Sequence, residues 1–331
     1  MQTAELDRVF VPQRDVPRWS ETAWLGSWNP DAGVGLFLHI GRCQQDLDMW
    51  WAQTMVYLPD GRVAVDRSHG RPGDPDTMGS GNLRLRIEEP GRRWSAAFDG
   101  AAELTTTEAL AEGLVGSGPS QPMRFELRGE AVAPMWDLFA GRDGHTQDFA
   151  GGTHTQQAFD ATGRVTIGDT TYPLDGCAYR DHSSGTRDLQ RFGTHHFVLI
   201  VFPDRVIHNI QVKMPDGTTM IDAGVVLHRD GGQTPVTGTE LPFVSALPAE
   251  PTECDLVVST PEGSETIHVE ALHAVNMCIT DSGDNLNGVG WQLDEDMPVL
   301  VECAARYTAA DGTVGYGHFE RSVRRSMLPD G

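Results

Sequence analysis

Leu47-Asp48-Met49-Trp50-Trp51-Ala52-Gln53-Thr54-Met55-Val56-Tyr57 decides the fold class. One alternating face carries Leu47, Met49, Trp51, Met55 and Tyr57, the two-residue period of a β-strand. Pro59-Asp60-Gly61 then turns the chain into Arg62-Val63-Ala64-Val65, because glycine supplies the positive φ that a tight hairpin needs. The same order of strand, Asp-Gly turn and strand returns at Pro215-Asp216-Gly217, Arg229-Asp230-Gly231 and Asp311-Gly312. Residues 83–87 and 123–128 alternate apolar with charged side chains, as antiparallel sheet with one wet face does. The best helix candidate is residues 105–114, where threonines can cap a short run of helix formers. No βαβ alternation and no phosphate-cradling glycine loop is present, which disfavours nucleotide-dependent chemistry.

Composition agrees. The 331 residues include 37 glycines and 20 prolines, which favours many turns and short strands, and 39% apolar residues are enough for a real core. A net charge of −22 repels phosphates and anionic lipids, so no nucleic-acid partner is expected. No run approaches the roughly 20 apolar residues of a membrane span, so no membrane insertion is expected. Residues 1–7 carry neither a basic start nor an apolar run, and no signal peptide is expected. The five cysteines form no CxxC pair, which argues against a disulfide framework or structural zinc and fits a reduced cytoplasm. Many short strands with frequent turns mean sandwich or barrel. The expected organisation is all-β, with two antiparallel barrel domains at 1–172 and 173–331. Residues 160–174 read as the last hairpin and connection of the first. Either a monomer or a homodimer would suit it.

The densest chemistry lies in Tyr179-Arg180-Asp181-His182-Ser183-Ser184-Gly185-Thr186-Arg187-Asp188. Such a mixture can position a proton donor and bind a polar substrate group; an ion-paired corner would use the same residues. Beyond it, His195 and His196 are adjacent and must face opposite sides of a strand. His208 shares a face with Val206, Ile210, Val212 and Met214 and reads as a core histidine. Tyr316, His318 and Glu320 share one strand face, with Phe319 on the other. Trp24 and Trp28 lie in a Pro- and Gly-flanked segment that suits the rim of an apolar pocket. No HExxH or GxSxG occurs, so neither a metal nor a nucleophilic serine is expected.

Taken together, Tyr179-Arg180-Asp181-His182-Ser183 with Gly185, Arg187 and Asp188 resembles the signature of the carotenoid 1,2-hydratase (hydroxyneurosporene synthase) and AttH family. The segment 24–39 and Gly317-His318-Phe319-Glu320 are also similar to its double-domain members. The resemblance implies two lipocalin-like barrels in tandem and cofactor-free acid–base chemistry on a small hydrophobic, terpenoid or polyketide-like substrate. In that chemistry an acid protonates an alkene, aromatic rings stabilise the cation, and water adds or a proton leaves. Asp181, His182, Arg187 and Tyr179 are then the candidate catalytic residues, with Asp181, His182 or Glu320 as the proton donor. Trp24, Trp51, Tyr57, Trp136, His196, Trp291, His318 and Glu320 are the candidate substrate-binding residues. The family's tryptophan is Ser184 here, which implies a different or more polar ligand. A carrier for a lipophilic ligand is the alternative, because lipocalin-like barrels often do no chemistry.

Overall fold

The computed structural model describes residues 3–113, 116, 118–140, 152–186, 192–279, 289–290, 296 and 298–328. Two of the expected site residues, Arg187 and Trp291, lie outside them. The helices are short: α1 (Thr3–Leu6) and α2 (Thr107–Ala111), the latter inside the helix expected at 105–114. None is long and apolar enough to cross a membrane.

The first sheet begins with β1 (Trp19–Asn29), β2 (Val34–Cys43), β3 (Asp46–Tyr57) and β4 (Arg62–Gly70). It continues with β5 (Thr77–Met78), β6 (Leu83–Glu89), β7 (Arg93–Thr106) and β8 (Ser120–Ala131). It ends with β9 (Trp136–Asp137), β10 (Thr153–Ile167), β11 (Thr170–Pro173) and β12 (Gly176–Thr186). Eight of these pair in a closed antiparallel ring, β1-β2-β3-β4-β7-β8-β10-β12 and back to β1. Closure leaves no ladder unpaired within the ring. Its core holds Leu25, Leu38, Ile40, Trp50, Trp94, Phe98, Phe125 and Phe159.

The second sheet comprises β13 (Thr194–Val201), β14 (Arg205–Lys213), β15 (Thr219–His228), β16 (Gln233–Val236) and β17 (Gly238–Glu240). It is completed by β18 (Glu253–Thr260), β19 (Gly263–Ile279), β20 (Val289–Gly290), β21 (Pro298–Ala309) and β22 (Val314–Arg324). Its order is β16-β15-β14-β13-β22-β21-β19-β18-β17, with β20 beside β19. Its end strands β16 and β17 are consecutive in the chain, separated only by Thr237, whose N–H donates to Ser259 O at 2.8 Å. Val226 of β15 and Leu256 of β18 share one core with Val198, Tyr307 and Phe319, so the sheet curls around it. The Asp-Gly turns lie where the sequence puts them, with Gly61, Gly217, Gly231 and Gly312 all at positive φ.

The hairpin expected within residues 160–174 is formed by β10 and β11, which turn at Gly168 (φ 57°). One expectation is corrected. The Tyr179 motif does not open the second half. It is β12, paired with β1 and β10, and so it belongs to the first sheet. The division at 172/173 therefore cuts through the first unit, which extends past the motif; α2 clusters with the second unit.

Candidate functional site

Because strand neighbours point to opposite faces, β12 divides its motif. Arg180 and His182 face the barrel core, and Tyr179, Asp181 and Ser183 face away from it. On the core side His182 Nε2 lies 3.1 Å from Glu21 Oε1. Arg42 donates to Glu21 Oε2 at 2.7 Å, and the Phe10 N–H donates to Glu21 Oε1 at 2.8 Å. Arg180 donates to Asp7 Oδ1 at 2.5 Å. Glu21, Arg42, Asp7, Arg180 and His182 are all buried. Buried charges persist only when paired and hydrogen-bonded, and this set ties the N-terminal segment to the barrel. His182 thus stands in an internal ion-pair network, apart from the face that carries Asp181.

The other face is organised by register. Trp136, Gln156, Asp181, Trp24, His39, Gln53 and Arg67 stand opposite one another in one row across seven strands. The row on one side of it contains Tyr179, Gly26, Phe37 and Met55, and the row on the other contains Ser183, Thr22, Gly41 and Trp51. Tyr57 stands one row further out, opposite Gly35. Aromatic rings cover the glycines. The Tyr179 ring lies across Gly26, where an added Cβ would come within 2.1 Å of it, and Trp51 lies across Gly41. Trp24 stacks on Tyr179 at 5.3 Å and meets Phe37 edge-on at 5.9 Å, while His39 meets Trp51 at 5.0 Å.

Asp181 sits in this aromatic field. Its Oδ1 accepts from the Trp24 N–H at 3.1 Å, and its Oδ2 lies 3.3 Å from His154 Nε2. The two side chains are 15% and 14% exposed, and His154 Nε2 itself is buried. The structure thus gathers Asp181, Tyr179, Trp24, Trp51, Tyr57 and Trp136 on one face of one sheet. His154 and His39 are additions that the sequence reading missed. Only the register of β10 and β2 brings them there, and neither strand carries a motif.

The second unit has its own polar cluster, on the face of its sheet opposite the core. Glu302 of β21 stands directly opposite Glu320 of β22. His318 Nε2 lies 2.9 Å from Glu302 Oε2 and 4.0 Å from Glu320 Oε2, and His195 Nδ1 lies 2.9 Å from Glu320 Oε1. Burial and the charge of Glu320 push the Glu302 carboxyl up to about 7. Burial opposes charge on Glu320 and His318 alike, yet opposite charges win at both. His195 and His318 hold Glu320 well below the usual carboxylate range, and Glu302 and Glu320 raise His318 to about 9. His318 and Glu320 are therefore neighbours, as expected. His196 is not: it faces the core side opposite Arg321, its ring near Phe243, and burial drives it down to about 3. Its neighbour His195 occupies the place expected for it. Strands β12 and β22 both put an acid and then a serine on the face away from the core, Asp181-x-Ser183 in β12 and Glu320-x-Ser322 in β22.

No curated protein matches the chain by sequence. A family model described as a domain of unknown function, DUF7064, matches residues 10–325, and the chain belongs to that family. The structure is similar to that of a protein from Nitrosomonas europaea described as a putative AttH, at 12% identity and TM-score 0.61 over 92% of each chain. It is also similar to CghA in complex with Sch210972, at 12% identity and TM-score 0.56 over 95% of this chain and 90% of that one. Kievitone hydratase from Nectria haematococca matches at 10% identity and TM-score 0.51 over 97% and 94%. At such identities the likeness establishes a shared fold.

Proposed function

From the family and the row around Asp181, we propose that this DUF7064 chain is an acid–base enzyme of hydratase/dehydratase or isomerase/cyclase type. Its substrate is a small hydrophobic molecule of terpenoid or polyketide-like chemistry. One observation carries the reading: a partly exposed carboxyl, Asp181, shares one sheet face with the rings of Trp24, Tyr179, Phe37 and Trp51, directly opposite Trp24 and with an imidazole at 3.3 Å. Support also comes from the names of two proteins that share the fold, a hydratase and a protein bound to Sch210972.

In the protonated state Asp181 gives its proton to one alkene carbon, and the neighbouring carbon becomes cationic. The faces of Trp24 and Tyr179 stabilise that charge. Water then adds to the cation and loses a proton to Asp181, directly or through His154, which completes hydration. Loss of a substrate proton instead completes isomerisation. His154 acts here as the proton-exchange partner.

A second reading, a binding protein for a lipophilic ligand, draws on a specific feature. The Trp24 N–H and the His154 imidazole both hold the Asp181 carboxyl in place, which suits a fixed clasp. One variant separates the two. In the enzyme, Asp181→Asn abolishes turnover of an alkene substrate and leaves the thermal midpoint nearly unchanged. In the binding protein, the same variant loses about 3 kcal/mol of stability, as a broken buried pair does, and any co-purifying ligand is chemically unchanged by mass spectrometry. Retained turnover in Asp181→Asn removes Asp181 from the mechanism.

A further inference from the structure

We propose that Glu302, His318 and Glu320 form a binding site for a divalent first-row transition cation, held by one imidazole nitrogen and two carboxylate oxygens. The three ligand atoms lie within 4.8 Å of one another, on side chains that are all buried. Ligands of such a metal sit about 2.0–2.2 Å from it, so two of them in a tetrahedral arrangement are about 3.3–3.6 Å apart. The 2.9 Å and 4.0 Å separations from His318 Nε2 bracket that range. A modest rotation of either carboxylate would equalise them.

Two features point to a third centre rather than to a closed ion pair. Glu302 Oε2 is buried and, despite its closeness to His318 Nε2, accepts no well-aligned hydrogen bond. Glu320, by contrast, has its outer oxygen fully engaged. The Ser322 hydroxyl donates to Oε1, and His195 Nδ1 approaches the same atom at 2.9 Å. That support leaves Oε2 turned toward His318 and Glu302, the division of labour seen where outer groups orient a metal-binding carboxylate.

Charge and chemistry agree. Two facing carboxylates are costly to bury unless a cation is shared between them, and a divalent ion neutralises both at once. One nitrogen and two hard oxygens suit zinc or manganese better than copper(I), which prefers sulfur. Three protein ligands leave a position for water, the pattern of a reactive rather than a purely structural site. The sequence reading, looking for ligands at motif spacing, expected no metal; Glu302 enters from the neighbouring strand, beyond the reach of any spacing rule. The site stands in the second sheet and is independent of the role given to Asp181.

The test uses the full-length chain, freed of metal by chelator and titrated with cobalt(II) and zinc(II). We expect one equivalent bound per chain, visible cobalt d–d absorption and a rise in thermal midpoint with added zinc. Ser322→Ala should weaken binding about 10–100-fold, the usual cost of losing an outer-shell partner, and Glu302→Gln by at least as much. The proposal is overturned if the wild-type chain takes up no cobalt or zinc, the two imidazoles then serving as the countercharge. Equal binding by wild type and Glu302→Gln overturns it as well. Should Glu302→Gln fail to fold, the wild-type titration and Ser322→Ala decide.

Discussion

Asp181 and Trp24 stand directly opposite one another on β12 and β1, and the Trp24 N–H donates to Asp181 Oδ1 at 3.1 Å. A carboxylate that takes a main-chain donor from the partner strand is held by the sheet itself. Its direction is then set by backbone geometry instead of by flexible side chains, which is what a positioned proton donor requires. The indole that belongs to the same donor stacks on Tyr179. Acid and aromatic wall are therefore fixed by one strand pair.

The close contact beneath Tyr179 gives the first prediction. An alanine at Gly26 would put Cβ 2.1 Å from Tyr179 Cε2, so the ring must move. Gly26→Ala should cost about 1–3 kcal/mol, as overpacking does, and lower turnover by tilting the wall beside Asp181. Urea unfolding measures the first effect and kcat the second. A variant as stable and as active as wild type would show that the ring is free to shift.

The core-side network gives the second. Glu21 balances Arg42 at 2.7 Å and also takes His182 and the Phe10 N–H. Glu21→Ala leaves a buried guanidinium uncompensated and should cost about 3–5 kcal/mol. The N-terminal segment should at the same time become sensitive to protease near Phe10. A loss below about 1 kcal/mol in chemical unfolding would mean that water replaces the carboxylate, and the network would then be no anchor.

His182 was expected to be catalytic, and its position leads to the third prediction. It packs against Phe10 at 4.9 Å and faces the barrel core. His182→Gln should lower the thermal midpoint while kcat of the folded fraction stays within about twofold, because His182 lies on the face of β12 opposite Asp181 and supports none of the proposed reacting groups. A loss of kcat comparable to that of Asp181→Asn, at unchanged stability, would return His182 to the mechanism.

Much of this architecture was legible because local chemistry dictates it. The alternation in residues 47–57 and the Asp-Gly turns at 60–61, 216–217 and 311–312 specify strands and hairpins without help from distant residues. The motif was legible as a cluster but assigned to the second barrel. Pairing on both sides, with β1 and β10, makes it a strand of the first sheet. Once it is a strand, its residues divide between two faces, and a cluster compact in sequence becomes two separate groups. The partners that complete each group, His154 for Asp181 and Glu302 for His318, lie 27 residues before Asp181 and 16 before His318. They meet through register, a global property that no window of sequence contains.

The last prediction concerns acid stability. Burial lowers His208 to about 3, and burial together with the charges of His195, Arg321 and Lys213 lowers His196 to about 3 as well. Each is neutral in the folded chain at pH values where the unfolded chain, with an ordinary histidine near 6.5, binds a proton. The unfolded state therefore takes up more protons between pH 6.5 and 3, and stability must fall as pH falls through that window. Each histidine contributes a slope of about 1.4 kcal/mol per pH unit there and nothing above the upper limit. His208→Leu removes one titrating group from a fully buried position opposite Leu199 and Val225. Its unfolding free energy, measured in urea between pH 4 and 6, should show a slope shallower than wild type by about that amount, with the two curves parallel above pH 7. Identical slopes would mean that His208 is protonated in the folded chain, and the burial that sets its ionisation would have to be relieved by water.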